Sequence, residues 1–215
     1  MHQRLRYPAI LVSTLLVAAL VVGAPPDVTL ADGTEAPPTF LTAWNTNGPL
    51  DNPGWPGGAA LDGDGNVYVT QTGTYPRIQK FTATGALVGV SSGGGSAEGY
   101  FNDPQGVAVD GDGNVYVADT YNHRIQRFTW TGTSPTFVTA WGTYGSENGQ
   151  FNRPTGVAVD DAGDVYVTDR NNNRVQRFTW DGTTPTFVTA WGGFDRPEAV
   201  AVDDDGLVYV ADTWN

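Results

Sequence analysis

The sequence sets a carboxylate and a guanidinium five residues apart twice, Asp119 with Arg124 and Asp169 with Arg174. Such a pair can grip a charged ligand or steady a proton-transfer group. It can equally be a structural ion pair, and its recurrence favours that reading, because a catalytic group usually appears once. At the matching place earlier in the chain Gln71 stands opposite Arg77, so no ion pair is expected there.

Other chemistry-bearing residues are sparse. Asp62-Gly63-Asp64-Gly65-Asn66 and its copy beginning at Asp110 resemble the start of a calcium loop. The next residue of such a loop should be glycine and the twelfth glutamate, but they are Val67 or Val115 and Gly73 or Tyr121. Calcium is therefore a weak expectation, hairpin turns are the stronger one, and no other cofactor is implied. His123 is the one histidine outside the N-terminal segment, and its counterpart in the next copy is Asn173. A single histidine cannot supply a three-histidine zinc site. Cysteine is absent, which removes thiolate catalysis and disulfides. Trp55 and Trp214 fall outside the repeated tryptophan positions and are candidates for contact with a partner. With Asp119, His123, Arg124, Asp169 and Arg174, Trp55 makes up the set of candidate ligand-contact residues; no catalytic or metal set can be assembled.

These residues sit on short strands. Gly156-Val157-Ala158-Val159 is apolar on both faces, as a strand covered on both sides requires. Asp110-Gly111-Asp112-Gly113-Asn114 has the turn chemistry of a tight hairpin. Four such segments make a unit, and the aspartate closing the first segment recurs at 62, 110, 160 and 203, at spacings of 48, 50 and 43. That period with four strands per unit predicts the blades of a β-propeller. Trp141 and Trp191, with Trp130 and Trp180, are expected to pack between blades. Gly142 to Gln150 and Ser91 to Tyr100 link one blade to the next.

From Gly99 to Phe128 the chain reads Gly-x-Phe-Asn-x-Pro-x-Gly-Val-Ala-Val-Asp, then Gly-Asn-Val-Tyr-Val-Ala-Asp, then Asn-His-Arg-Ile-Gln-x-Phe. This resembles the NHL repeat, with Asn122-His123-Arg124 standing where that family is named for Asn-His-Leu, and the likeness spans nearly all of Thr39 to Asn215. The resemblance implies an all-β propeller of four-stranded antiparallel blades, commonly six-bladed. Members are mostly binding scaffolds, and related propellers include lyases and hydrolases. Here about three full blades are expected, with partial strands at both ends: a leading outer strand over Thr39 to Trp44, and two strands after Glu198. The chain thus looks like a truncated propeller, and residues 39–215 are taken as that partial domain. Open sheet edges predict self-association. A monodisperse, cooperatively melting monomer in sedimentation and thermal unfolding would contradict that expectation.

Arg4 and Arg6 precede an almost wholly apolar run from Ala9 to Ala24, the pattern of a secretory signal peptide over residues 1–31, cut after 24 or 31. An uncleaved anchor is the alternative. Residues 32–38 form a Pro-rich linker. The chain carries 23 acidic against 11 basic side chains, a net charge of −12. That balance opposes nucleic acid and anionic membrane surfaces as partners. The expectation is a secreted or extracytoplasmic, non-enzymatic scaffold for a protein or glycan; the alternative is an extracellular lyase or lactonase whose catalytic residues lie in missing blades.

Overall fold

A computed structural model of the protein describes residues 55–91, 93–181 and 183–215. The expected export signal, linker and leading strand over Thr39 to Trp44 lie outside the described residues.

Each repeat unit is one antiparallel sheet with its strands in sequence order. The first holds β1 (Pro56–Leu61), β2 (Val67–Gln71), β3 (Arg77–Phe81) and β4 (Leu87–Val90). The second holds β5 (Pro104–Val109), β6 (Asn114–Asp119), β7 (Arg124–Thr131) and β8 (Ser134–Trp141). The third holds β9 (Pro154–Val159), β10 (Val165–Asp169), β11 (Arg174–Trp180) and β12 (Pro185–Gly192). A fourth, two-stranded sheet pairs β13 (Pro197–Val202) with β14 (Val208–Asp212). Among the described residues the only helical pieces are single 3-10 turns, Thr120–Asn122 and Arg170–Asn172. No helix there is long and apolar enough to cross a membrane.

The recurring aspartate explains the hairpins. Asp110 Oδ1 accepts from the backbone N–H groups of Asp112 (3.0 Å) and Asn114 (2.8 Å), which closes the turn into β6. Its Oδ2 accepts from the Tyr116 hydroxyl at 3.0 Å and so ties the turn to the strand. Asp62, Asp160 and Asp203 repeat both bonds with Tyr68, Tyr166 and Tyr209. Burial, with Asp110 beside it, pushes the Tyr116 hydroxyl up to about 12. In the stretch that resembles a calcium loop, the carboxylates of Asp62 and Asp110 are therefore engaged by amides and a phenol. Among the described residues no group of three or more His, Cys, Asp or Glu is placed to hold a metal ion.

Apolar packing lies between sheets. Tyr68 and Ile78 of the first sheet pack with Val107, Val115 and Phe128 of the second. Tyr116 and Ile125 of the second pack with Val157, Val165 and Phe178 of the third, and Tyr166 and Val175 of the third with Val200 of the fourth. Trp130 meets Tyr68 edge-on at 5.6 Å, and Trp141 meets Phe178 at 5.9 Å, so these indoles do join neighbouring blades. Trp191 instead stacks on Tyr166 of its own sheet. Tyr68, Tyr116 and Tyr166 are at most 4% exposed, whereas Tyr209 is 51% exposed, because each tyrosine is covered by the sheet that follows its own.

The linking loops are more ordered than glycine content alone suggests. Parallel bridges join Gly94 to Phe101 and Tyr144 to Phe151, folding each loop back on the next sheet.

Candidate functional site

In each four-stranded sheet the first-to-second and third-to-fourth turns lie at one end, and the second-to-third turns and blade-to-blade loops at the other; the single turn of the fourth sheet lies at the first end. All the candidate ligand-contact residues fall at this second end, called the loop face below.

Asp119 and Asp169 are hubs there. Asp169 is fully buried. Its Oδ1 accepts from the Asn152 backbone at 2.7 Å, and its Oδ2 from Asn172 Nδ2 (2.8 Å), Arg174 Nε (2.7 Å) and Gln176 Nε2 (3.1 Å). Arg174 then reaches the Glu147 and Gln150 carbonyls, at 2.8 and 3.0 Å, and pins the incoming loop. Asp119 repeats this with Asn102, Asn122, Arg124 and Gln126. Burial pushes the Asp119 carboxyl up, while Asn102, Asn122 and Arg124 pull the other way. Both pairs are knit into the scaffold beneath the surface. The first unit keeps the contact without the charge: Arg77 Nε donates to Gln71 Oε1 at 2.6 Å, so no ion pair forms there and a neutral amide takes the same place.

His123 is also held by its neighbours. Its Nδ1 accepts the backbone N–H of Arg153 at 3.1 Å, and its ring meets Tyr144 at 4.9 Å. Asn173 does the same in the next unit, where its Oδ1 accepts from the Arg196 backbone at 3.0 Å. Both residues adopt a left-handed φ of 55°. Burial, and secondarily Arg153, holds the imidazole below its ordinary value. Protonation would turn the Nδ1 acceptor into a donor facing an N–H. An unfolded histidine near pH 6.5 takes up its proton first, so the contribution of His123 is present above that pH and lost as pH falls through the folded value. Melting temperature followed from pH 7.5 to 5 is expected to fall less in His123→Asn than in the wild type.

A cleft of about 310 Å³ opens on the loop face between the second, third and fourth sheets. It is lined by Asp103, Gln105, Tyr121, Arg153, Arg170 and Glu198, with Thr120 and Thr155. Where the hubs repeat, these residues differ from unit to unit. The place of Gln105 is held by Gly57, Thr155 and Glu198 in the other units, and that of Arg170 by Thr72, Thr120 and Thr213. Thr120 donates to the Pro154 carbonyl at 2.8 Å, whereas Arg170 Nε donates to Glu198 Oε1 at 2.6 Å, which ties the third sheet to the fourth. Arg153 lies over the Tyr121 ring at 4.7 Å.

The NHL repeat family model matches residues 101–128, 151–178 and 194–215, which are the stretches that build the loop-face hubs. The chain carries NHL repeats at these three places. Solved propellers share its fold. A streptogramin B lyase is 18% identical, with a TM-score of 0.56 over 77% of this chain and 51% of that one. A nidogen/laminin complex is 20% identical, with a TM-score of 0.55 over 74% and 57%. A catalytically inactive virginiamycin B lyase from Staphylococcus aureus with quinupristin is 18% identical, with a TM-score of 0.54 over 74% and 50%. This NHL chain thus spans about half the length of these structures. No curated protein matches the sequence.

The candidates of the sequence reading divide accordingly. Asp119, Arg124, Asp169, Arg174 and His123 build the NHL frame, while Trp55 projects from the loop face, 77% exposed. Its carbonyl is held by the Thr72 N–H at 2.7 Å, which fixes its backbone and leaves the indole in solvent. The sequence reading missed the cleft residues. Superposing the units and marking where they disagree would have found them.

Proposed function

We propose that this NHL propeller is a secreted, non-enzymatic binding module that captures a protein or glycan on its loop face. The observation that carries the reading is the placement of aromatics. Trp55, Tyr75, Tyr100, Tyr121, Tyr144 and Trp214 are each at least 42% exposed and all lie on that face. The turns at the opposite end contain no aromatic residue and carry Asp64, Asp112 and Asp161. Exposed aromatics beside arginines are the residue types that dominate recognition. The N-terminal export pattern supports a role outside the cytoplasm, where such partners are met.

The competing reading is a lyase, as two of the similar structures are. Within the described residues His123 is the only histidine, and its Nδ1 is held by the Arg153 amide. That favours binding over proton transfer.

The test is an array of glycans and extracellular proteins probed with the full chain. A Tyr75→Ala/Tyr144→Ala variant is expected to lose signal at least about tenfold, since two aromatic anchors are removed. An Asp64→Asn/Asp112→Asn variant on the opposite end should bind like the wild type. Loss confined to the second variant would overturn the proposal.

A further inference from the structure

The cleft contains one cation that no carboxylate answers. Arg170 is paired with Glu198 and also donates to Asn171 Oδ1 at 3.2 Å. Asp103 accepts from Gln105 Nε2 at 3.1 Å. The Thr120 and Thr155 hydroxyls are engaged by the Pro154 and Pro197 carbonyls. Among the described residues the Arg153 guanidinium makes no ion pair or hydrogen bond; it rests on the Tyr121 ring. Stacking on an aromatic face restrains the guanidinium plane and leaves its edge N–H groups open, the geometry that grips a carboxylate with two parallel bonds.

The remaining groups define what carries that carboxylate. Gln105 Oε1 and Glu198 Oε2 accept no hydrogen bond among the described residues, so they can receive hydroxyls. Apart from the Tyr121 ring the lining is polar, which suits neither an aliphatic acid nor a side chain seeking an apolar pocket. Asp103 and Glu198 balance the two arginines formally, and the whole chain carries −12. A dense polyanion would be repelled; a single negative charge surrounded by hydroxyls would not. We propose that this cleft binds a uronic acid unit of a glycan, with Arg153 receiving the carboxylate, and Glu198 and Gln105 the ring hydroxyls. The proposal rests on the loop face being a binding face and names the ligand class for it.

The test is calorimetric titration of the full chain with methyl β-D-glucuronide, methyl β-D-glucoside and a tetraglutamate peptide. The glucuronide is expected to bind at least about tenfold tighter than the glucoside, because a charge-assisted bond is at stake. That preference should shrink with added salt. Arg153 has a φ of 56°, which asparagine tolerates, so Arg153→Asn keeps the backbone while removing the charge. It is expected to erase the preference with an unchanged melting temperature. Tyr121→Leu, which frees the guanidinium without removing it, is expected to reduce the preference several-fold. Equal affinity for the two sugars, tighter binding of the peptide, or a preference that survives Arg153→Asn would each overturn the proposal. If the glucuronide fails to bind while the array ligands still depend on Tyr75 and Tyr144, the face stands as a binding surface and the uronate assignment falls.

Discussion

Asp169→Ala is expected to destabilise the third sheet by about 3–5 kcal/mol, because it strips one carboxylate from a buried cluster of donors. The Arg174 Nε and the Asn172 amide would lose an oxygen that now lies 2.7 and 2.8 Å away, and the Asn152 N–H would be left facing a void. Gln176 is fully buried and would keep only the Gln150 carbonyl for its amide nitrogen. The hairpin between β10 and β11 would lose the acceptor that ties it to Asn152. The loop from Gly142 to Gln150 should loosen with it, since Arg174 is what pins the Glu147 and Gln150 carbonyls. Urea unfolding followed by tryptophan fluorescence checks the size of the loss. A cost below about 1 kcal/mol would mean that the hub is wet, not buried.

The first unit shows how far a neutral group can substitute. Gln71 gives Arg77 one short hydrogen bond, but among the described residues its own Nε2 and the Oε1 of Gln79 are buried without a partner. In the second unit the Gln126 Oε1 accepts the Gly99 N–H at 2.9 Å and its Nε2 donates to Asp119. The carboxylate is the better hub because it only accepts, and every group around it donates.

What could be read from the sequence follows from this difference between repeated and unrepeated positions. The turn aspartates, the paired strands and the Asp–Arg spacing occur in several copies, so each copy corroborates the others, and the β-propeller of four-stranded blades follows from them. Arg170 and Glu198 occur once each, and alone each resembles an ordinary surface charge. Their ion pair joins residues from different sheets, so no local spacing announces it. Arg153 was hidden for another reason. A residue preceding proline is normally extended, yet Asp103, Arg153 and Arg196 all adopt a positive φ of 53° to 56° at the entry to an inner strand. That conformation turns the side chain of Arg153 towards Tyr121 of the preceding sheet, a direction that sequence does not specify. Gln71 opposite Arg77 breaks the charge pattern in the sequence, yet this unlike pair of side chains keeps the same contact.

Gly156→Val is expected to cost about 3 kcal/mol or more, at or beyond the usual upper range for overpacking, since the obstacle is backbone and cannot rotate away. A Cβ at Gly156 would lie 2.9 Å from Ala199 Cα, from Thr168 Oγ1 and from Val200 N. Thr168 Oγ1 also accepts the Gly156 N–H at 2.6 Å, so a displaced strand would lose that bond as well. Relief requires the fourth sheet to move outward, which would part Tyr166 and Val175 from Val200. Gly106 meets the third sheet in the same way, since a Cβ there would stand 2.5 Å from the Thr155 carbonyl oxygen. The corresponding residue of the fourth sheet is Ala199, and no sheet packs beyond it among the described residues. Ala199→Gly should therefore cost about 1 kcal/mol or less, the backbone entropy of glycine in a strand. Thermal melts of the two variants decide the matter together. If Gly156→Val melts with the wild type, the inner strands do not approach backbone to backbone, and the radial arrangement that brings Tyr121, Arg153 and Glu198 to one cleft is wrong.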